Sequence, residues 1–221
     1  MIESAYNSVK SKIPEHVELI AVSKTKPVED ILCLYELGHR HFGENKVQEM
    51  IEKYERLPKD IHWHMIGHLQ TNKVKFLAPF VHLIHAVDSL KLLLEINKQA
   101  IKHDRLIPCL MQVHIAREET KFGLTEDELI KIIQSPEFDK FRNVKIFGLM
   151  GMATYTDDKE QVRNEFRKLR AFFERLKSDF FSNVETFREI SMGMSGDYRI
   201  AIEEGSTLIR VGTLIFGERH K

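Results

Sequence analysis

The sequence is short of the patterns that mark several protein classes. Its 221 residues include two cysteines, Cys33 and Cys109, far apart and outside any CxxC spacing. That leaves no disulfide framework and no cysteine zinc site, and it suits a reducing compartment. No apolar run approaches membrane-spanning length. The start, Met1-Ile2-Glu3-Ser4-Ala5-Tyr6, is polar and acidic where a signal peptide is basic and then apolar. A cytoplasmic protein is therefore expected. Lys+Arg and Asp+Glu both number 33, so no excess of one sign points to nucleic acid or to an acidic membrane. There is no GxGxxG after the first strand-like run and no GxxxxGK[ST]; Gly43-Glu44-Asn45-Lys46 supplies only the first half of a phosphate loop. Without a serine or cysteine in a defined elbow, a hydrolase triad built on His85 and Asp88 has no nucleophile, although those two residues are spaced to hydrogen-bond.

What the sequence does hold is alternation. After an opening segment that is helical to about Lys12, apolar strand-like runs occur at Glu18 to Ser23, His39 to Phe42, Ile61 to Ile66, Val81 to Ala86, Leu106 to Ile115, Val144 to Met150, Thr186 to Ser191 and Ser206 to Val211. Between them lie stretches with apolar residues at three- and four-residue spacing, among them Val28, Ile31, Leu32 and Tyr35. The longest helix is expected over Asp158 to Phe180. Asp88-Ser89 reads as a helix start, and Thr125 with Glu128 as a capping box. Strict β-then-α order implies a parallel sheet with right-handed crossovers, and eight repeats favour closure. With no Gly/Ser linker or low-complexity tract, the expectation is one domain over residues 1–221: a single-domain TIM-like (β/α)8 barrel with a short N-terminal helix.

On such a barrel, ligands sit at the carboxyl ends of the strands. Six clusters fall there: Ser23-Lys24-Thr25-Lys26, Gly43-Glu44-Asn45, Gly67 to Lys73, Gly148 to Met152, Ser191 to Asp197, and Arg210-Val211-Gly212-Thr213. Lys24 follows an apolar strand directly, and Pro27 forces the chain to turn before any helix, which places an amine where imine chemistry is feasible. Ser195 reads as the opening of a helix, and with the Gly212 and Thr213 amides it suits an oxyanion; ordinary tight turns explain the same residues. Arg210 lies in an apolar strand and needs a partner, either a ligand or an internal carboxylate such as Glu44 or Glu189. His39 with His41, and His62 with His64, have HxH spacing, yet no acidic ligand is spaced beside them and no metal site is assigned. Met150, Met152, Met192 and Met194 read as core, or as the wall of a flat ligand.

The chain resembles the pyridoxal 5′-phosphate (PLP) homeostasis protein family. The matching blocks are Ala21 to Pro27, Phe42 to Asn45 with Val47-Gln48-Glu49, Trp63 to Gln70 with Asn72-Lys73, Gly148-Leu149-Met150, Ser191 to Ser195, and Ile202 to Ser206 running through Arg210 to Thr213 and on to Phe216-Gly217-Glu218-Arg219. The resemblance implies a barrel similar to the alanine racemase N-terminal domain. It implies PLP held as a Schiff base on Lys24, Arg210 facing the pyridine nitrogen, Ser195, Gly212 and Thr213 holding the phosphate, and Asn45 near the ring. It also implies intracellular vitamin B6 homeostasis and delivery, with apo PLP-dependent enzymes as recipients, by a protein that is not an enzyme; a monomer is expected because the sequence shows no long exposed apolar stripe. A small PLP-dependent amino-acid racemase or lyase is the alternative. Racemases of similar fold take a tyrosine base from a second domain, which the chain, stopping at Lys221, is expected to lack. Lys26 is expected to lower the Lys24 pKa, to accept the cofactor in transfer, or to be a surface charge.

Overall fold

The computed structural model describes residues 2–118 and 122–218, so Arg219 and Lys221 lie outside the described residues. Helix α1 (Ile2–Lys10) is followed by eight strand–helix units: β1 (Glu18–Val22) and α2 (Val28–Glu36), β2 (His41–Glu44) and α3 (Val47–Arg56), β3 (His62–Met65) and α4 (Val74–Leu77), β4 (Leu83–Val87) and α5 (Leu90–Lys102). The second half repeats the pattern with β5 (Ile107–Gln112) and α6 (Glu126–Ile133), β6 (Val144–Met150) and α7 (Lys159–Asp179), β7 (Glu189–Ser191) and α8 (Tyr198–Glu203), and β8 (Leu208–Val211) and α9 (Thr213–Phe216). Each strand pairs in parallel with the next and β1 pairs with β8, which closes the sheet and leaves it no edge. This is the TIM-like (β/α)8 barrel expected from the alternation.

The strands read as apolar because both their faces are covered. Leu19, Ile20 and Ala21 of β1 are fully buried, packed by neighbours inside the barrel and by helices outside it. Helix α7 buries Val162, Phe166, Leu169, Phe173 and Leu176 at helical spacing, each worth about 1.5–3 kcal/mol of apolar burial. Its start is fixed by Asp158, whose Oδ1 accepts from the Glu160 and Gln161 amides at 3.0 Å each. The Thr125–Glu128 capping box is formed, and Ser89 caps α5 by accepting from the Leu92 amide.

Most runs are trimmed or shifted by one to three residues, as β4 is to Leu83–Val87 and β7 to Glu189–Ser191, and two differ with more consequence. The strand read over Leu106 to Ile115 ends at Gln112, and Val113 makes only an isolated bridge to Leu124 where the chain folds back. The strand read over His39 to Phe42 is β2, which runs two residues later, so His39 and His41 are not neighbours on one strand face. His39 is instead buried beside α1, with Nε2 donating to the His41 carbonyl at 2.8 Å and Nδ1 left to accept from the Tyr6 hydroxyl at 3.3 Å.

Burial lowers the pKa of His39 to about 4. The unfolded value is about 6.5, so the unfolded chain binds more protons between those limits. The stability that His39 contributes is complete above pH 6.5 and is lost as pH falls toward 4, on the order of 3 kcal/mol at about 1.4 kcal/mol per unit. Urea midpoints recorded from pH 7 to pH 4 should fall over that window, and less steeply in His39→Gln; equal slopes would remove His39 from the acid sensitivity.

Candidate functional site at the carboxyl mouth of the barrel

The carboxyl ends of the strands surround a cavity of about 530 Å³. Volume alone does not single it out, since a cleft of about 610 Å³ lies near α1, α7 and α8, lined by Lys12, Arg163 and Glu203 among others. The chemistry of the lining does. Lys24 comes from the end of β1, Asn45 from β2, Gly67 and His68 from β3, Met152 from β6, Met194 to Asp197 from β7, and Arg210, Gly212 and Thr213 from β8. All six clusters read from the sequence therefore contribute to one lining.

The loop carrying Lys24 is anchored on both sides. Ser23 is buried and its hydroxyl donates to Glu44 Oε1 at 2.6 Å. Lys53 Nζ, from α3, donates to the same Glu44 oxygen at 2.8 Å, to Glu49 Oε1 at 2.7 Å and to the Ser23 carbonyl at 2.7 Å. Glu44 is wholly buried; burial pushes its pKa up to about 7, against the opposing pull of Lys53. Thr25 then adopts φ +66°, a left-handed conformation unfavourable for a β-branched residue, held by its amide donating to Glu49 Oε1 at 2.5 Å.

Lys26 points elsewhere. Its ammonium donates to the carbonyls of Phe216 at 2.8 Å, Glu218 at 3.1 Å and Gly217 at 3.3 Å, which ties the β1 loop to the end of α9. That contact replaces the expected surface charge or transfer acceptor: three carbonyls hold the amine away from the cavity.

Arg210 is buried, and neither Glu44 nor Glu189 is its partner. Glu44 is engaged by Lys53 and Ser23, and Glu189 by Arg188 and Thr207. The guanidinium instead donates to Ser191 Oγ and to the Gly151 carbonyl at 3.1 Å, both neutral acceptors. Burial lowers its pKa to about 10, with Asp197 opposing, so it remains cationic at neutral pH. Its hydrogen bonds go to neutral acceptors and the Asp197 charge favours its cationic form, so a buried cation lines the cavity.

Ser195 does not begin the helix as expected. Asp197 is the N-cap residue of α8, and Ser195 sits in the preceding turn, where its Oγ accepts from the Gly212 amide at 3.3 Å. Two glycines permit this crowding. Gly193 has φ +93° and a Cβ there would lie 2.5 Å from that of Ala201, while a Cβ on Gly212 would lie 3.0 Å from the Val22 carbonyl. Of the methionines, Met150 and Met192 are core, whereas Met152 and Met194 line the cavity. The pairing proposed for His85 and Asp88 does not form: Asp88 Oδ2 accepts from His68 Nδ1 at 3.1 Å, and His85 lies inside the barrel.

Local spacing did not single out Gln112, Phe122 and Tyr155. Gln112 ends β5 inside the cavity and donates to the Phe122 carbonyl at 2.9 Å, and Phe122 stacks on His68 with ring centroids 5.0 Å apart. A polar residue at the end of an apolar strand was the available signal for Gln112; Phe122 and Tyr155 reach the mouth through loops.

Behind Arg210 a hydrogen-bonded line of side chains runs down the barrel. Ser191 Oγ meets His85 Nδ1 at 2.8 Å, His85 Nε2 meets His64 Nδ1 at 2.9 Å, and His64 Nε2 meets His41 Nδ1 at 2.9 Å. Burial holds His64 and His85 well below the usual imidazole range, so both are neutral at pH 7.

Fold and site together define a barrel of the alanine racemase N-terminal class, whose family model, "Alanine racemase, N-terminal domain", matches residues 1–220. Within it, the chain belongs to the pyridoxal phosphate homeostasis protein family. It is 44% identical over 203 residues to the pyridoxal phosphate homeostasis protein of Aquifex aeolicus, covering 91% of this chain and 87% of that one. The corresponding protein of Schizosaccharomyces pombe is 34% identical over 226 residues, covering 99% and 93%. PipY of Synechococcus elongatus, solved with PLP bound, superposes with a TM-score of 0.89 at 35% identity, covering 98% of this chain and all of that one.

Proposed function

We propose that this chain binds PLP in the carboxyl-mouth cavity as a Schiff base on Lys24, and that it stores and delivers the cofactor in vitamin B6 homeostasis rather than catalysing turnover. The observation that carries the reading is convergence: one cavity holds a primary amine, a buried arginine, and a hydroxyl and glycine-rich amides from β7 and β8. Those groups fit the cofactor's aldehyde, ring nitrogen and phosphate in turn. Residues 1–221 act as one PLP-binding barrel domain, a cytoplasmic monomer whose recipients are apo PLP-dependent enzymes. Among the described residues no helix is long and apolar enough to cross a membrane.

Bound PLP supplies an electron sink for carbanion chemistry, and its strength depends on protonation of the ring nitrogen. Arg210, a lasting cation, keeps a facing nitrogen unprotonated and so mutes that sink. Ser195, Gly212 and Thr213 would hold the phosphate, and Asn45 would face the ring. Incubation of the PLP-loaded protein with an apo PLP-dependent enzyme and a trap for free aldehyde tests delivery: activation that survives the trap is expected, and activation abolished by it would leave release into solution. Amino-acid α-proton exchange in deuterated water at racemase-like rates would overturn the non-catalytic reading.

A further inference from the structure

At the opposite, amino-terminal mouth, the structure gathers imidazoles from three neighbouring chain segments. The β2–β3 register places His41 beside His62, and His82 enters β4 next to them, its amide donating to the Trp63 carbonyl at 2.8 Å. All three are half-buried, and one ring nitrogen from each lies within 4.8 Å of the others. The sequence spacing pointed to pairs within a strand; the structure instead draws one histidine from each of three segments.

The geometry points to a site for one first-row divalent transition-metal ion, zinc foremost, held by His41, His62 and His82 at the amino-terminal mouth. Zinc–nitrogen bonds of about 2.0–2.1 Å in a tetrahedron separate ligand nitrogens by about 3.3 Å. His41 Nε2 and His62 Nδ1 already stand 3.2 Å apart. The rings of His62 and His82 lie parallel with centroids 4.3 Å apart, so His82 must turn to direct a nitrogen at the same point. A cavity of about 390 Å³, lined by His41, His82, Glu15 and Glu18 among others, gives an ion entry and gives His82 room.

Three further features suit a metal. Glu18 Oε2 lies 3.8 Å from His41 Nε2, an anionic fourth ligand within a small side-chain movement, with water as the alternative. His41 Nδ1 is hydrogen-bonded to His64 Nε2, the outer contact that fixes the tautomer of a ligating histidine. Burial keeps His41 and His82 neutral at pH 7, which is the ligating form. The positive charges of Lys10, near His41, and Arg105, near His82, oppose an ion, so binding rests on direct nitrogen bonds rather than on the local field. On binding, the proton shared between His41 and His62 moves to the outer nitrogen of its ring, and the ligands gain no net charge.

The test is titration of chelator-treated full-length protein with zinc chloride by calorimetry. About one equivalent is expected to bind, weakened at least about tenfold in His82→Ala and in His62→Ala and unchanged in His114→Ala, which follows the carboxyl end of β5 at the opposite mouth. Added zinc should raise the melting temperature of the wild-type protein and not that of the two cluster variants. If His62→Ala does not fold, His82→Gln, on the segment entering β4, gives the same reading. The proposal is overturned if the wild-type protein binds no stoichiometric zinc, or if the cluster variants bind as it does.

Discussion

Lys24→Ala is expected to abolish covalent capture of PLP while the barrel stays folded. Wild-type protein loaded with the cofactor should carry an imine absorbance band, and borohydride should fix one equivalent to the chain. The alanine variant should show neither, because among the described residues no other lysine lines the cavity: Lys26 is held by the carbonyls of Phe216, Gly217 and Glu218, and Lys53 is buried between two carboxylates. The fold should be nearly indifferent to the change. The Lys24 loop takes its shape from Ser23, Thr25 and Lys26, whose contacts do not pass through the Lys24 side chain. Borohydride fixation retained in Lys24→Ala would move the attachment to another residue, and loss of the folded circular dichroism spectrum would make Lys24 structural.

The largest effect on stability is expected at Lys53. Its ammonium is almost fully buried and neutralises Glu44, which is completely so. Lys53→Met leaves that carboxylate, and the Ser23 carbonyl, without their cation, at a cost of about 3–5 kcal/mol. For a chain of this length that amounts to a fall in melting temperature of about 6–20 °C. Combining it with Glu44→Leu should recover much of the loss, since an apolar pair of similar volume avoids the desolvation of both ions. A single variant melting within 2 °C of wild type would mean that water reaches the pair. The same variant bears on the site, because the Ser23 carbonyl that Lys53 holds immediately precedes Lys24; capture of PLP should slow even where the fold persists.

The barrel was legible in the sequence because its strands are apolar on both faces, and the run Val144 to Met150 coincides with β6 at both ends. Leu106 to Ile115 ran too far because Val113 and Ile115 are good strand residues, and nothing local says that the partner strand stops at Met150. His39 was misplaced because alternation is blind to a buried imidazole that faces a helix. The mouth residues Lys24, Asn45, Ser195, Arg210, Gly212 and Thr213 could be read because each lies at or just after the carboxyl end of a strand, and topology alone brings such positions together. Their partners could not. Arg210 lies 19 residues from Ser191 and 59 from Gly151, and Lys26 lies 190 from Phe216. A sequence contains such pairings only through the closed barrel.

That closure also fixes when the protein can begin its work. β1, which leads into Lys24, has β8 as one of its two neighbours, and the donors opposite the lysine lie at residues 195–213. A chain still being synthesised exposes its lysine early but lacks the rest of the pocket until residues 195–213 have been made and β8 has paired with β1. The capture of an aldehyde proposed for Lys24 is thereby postponed until the barrel has closed.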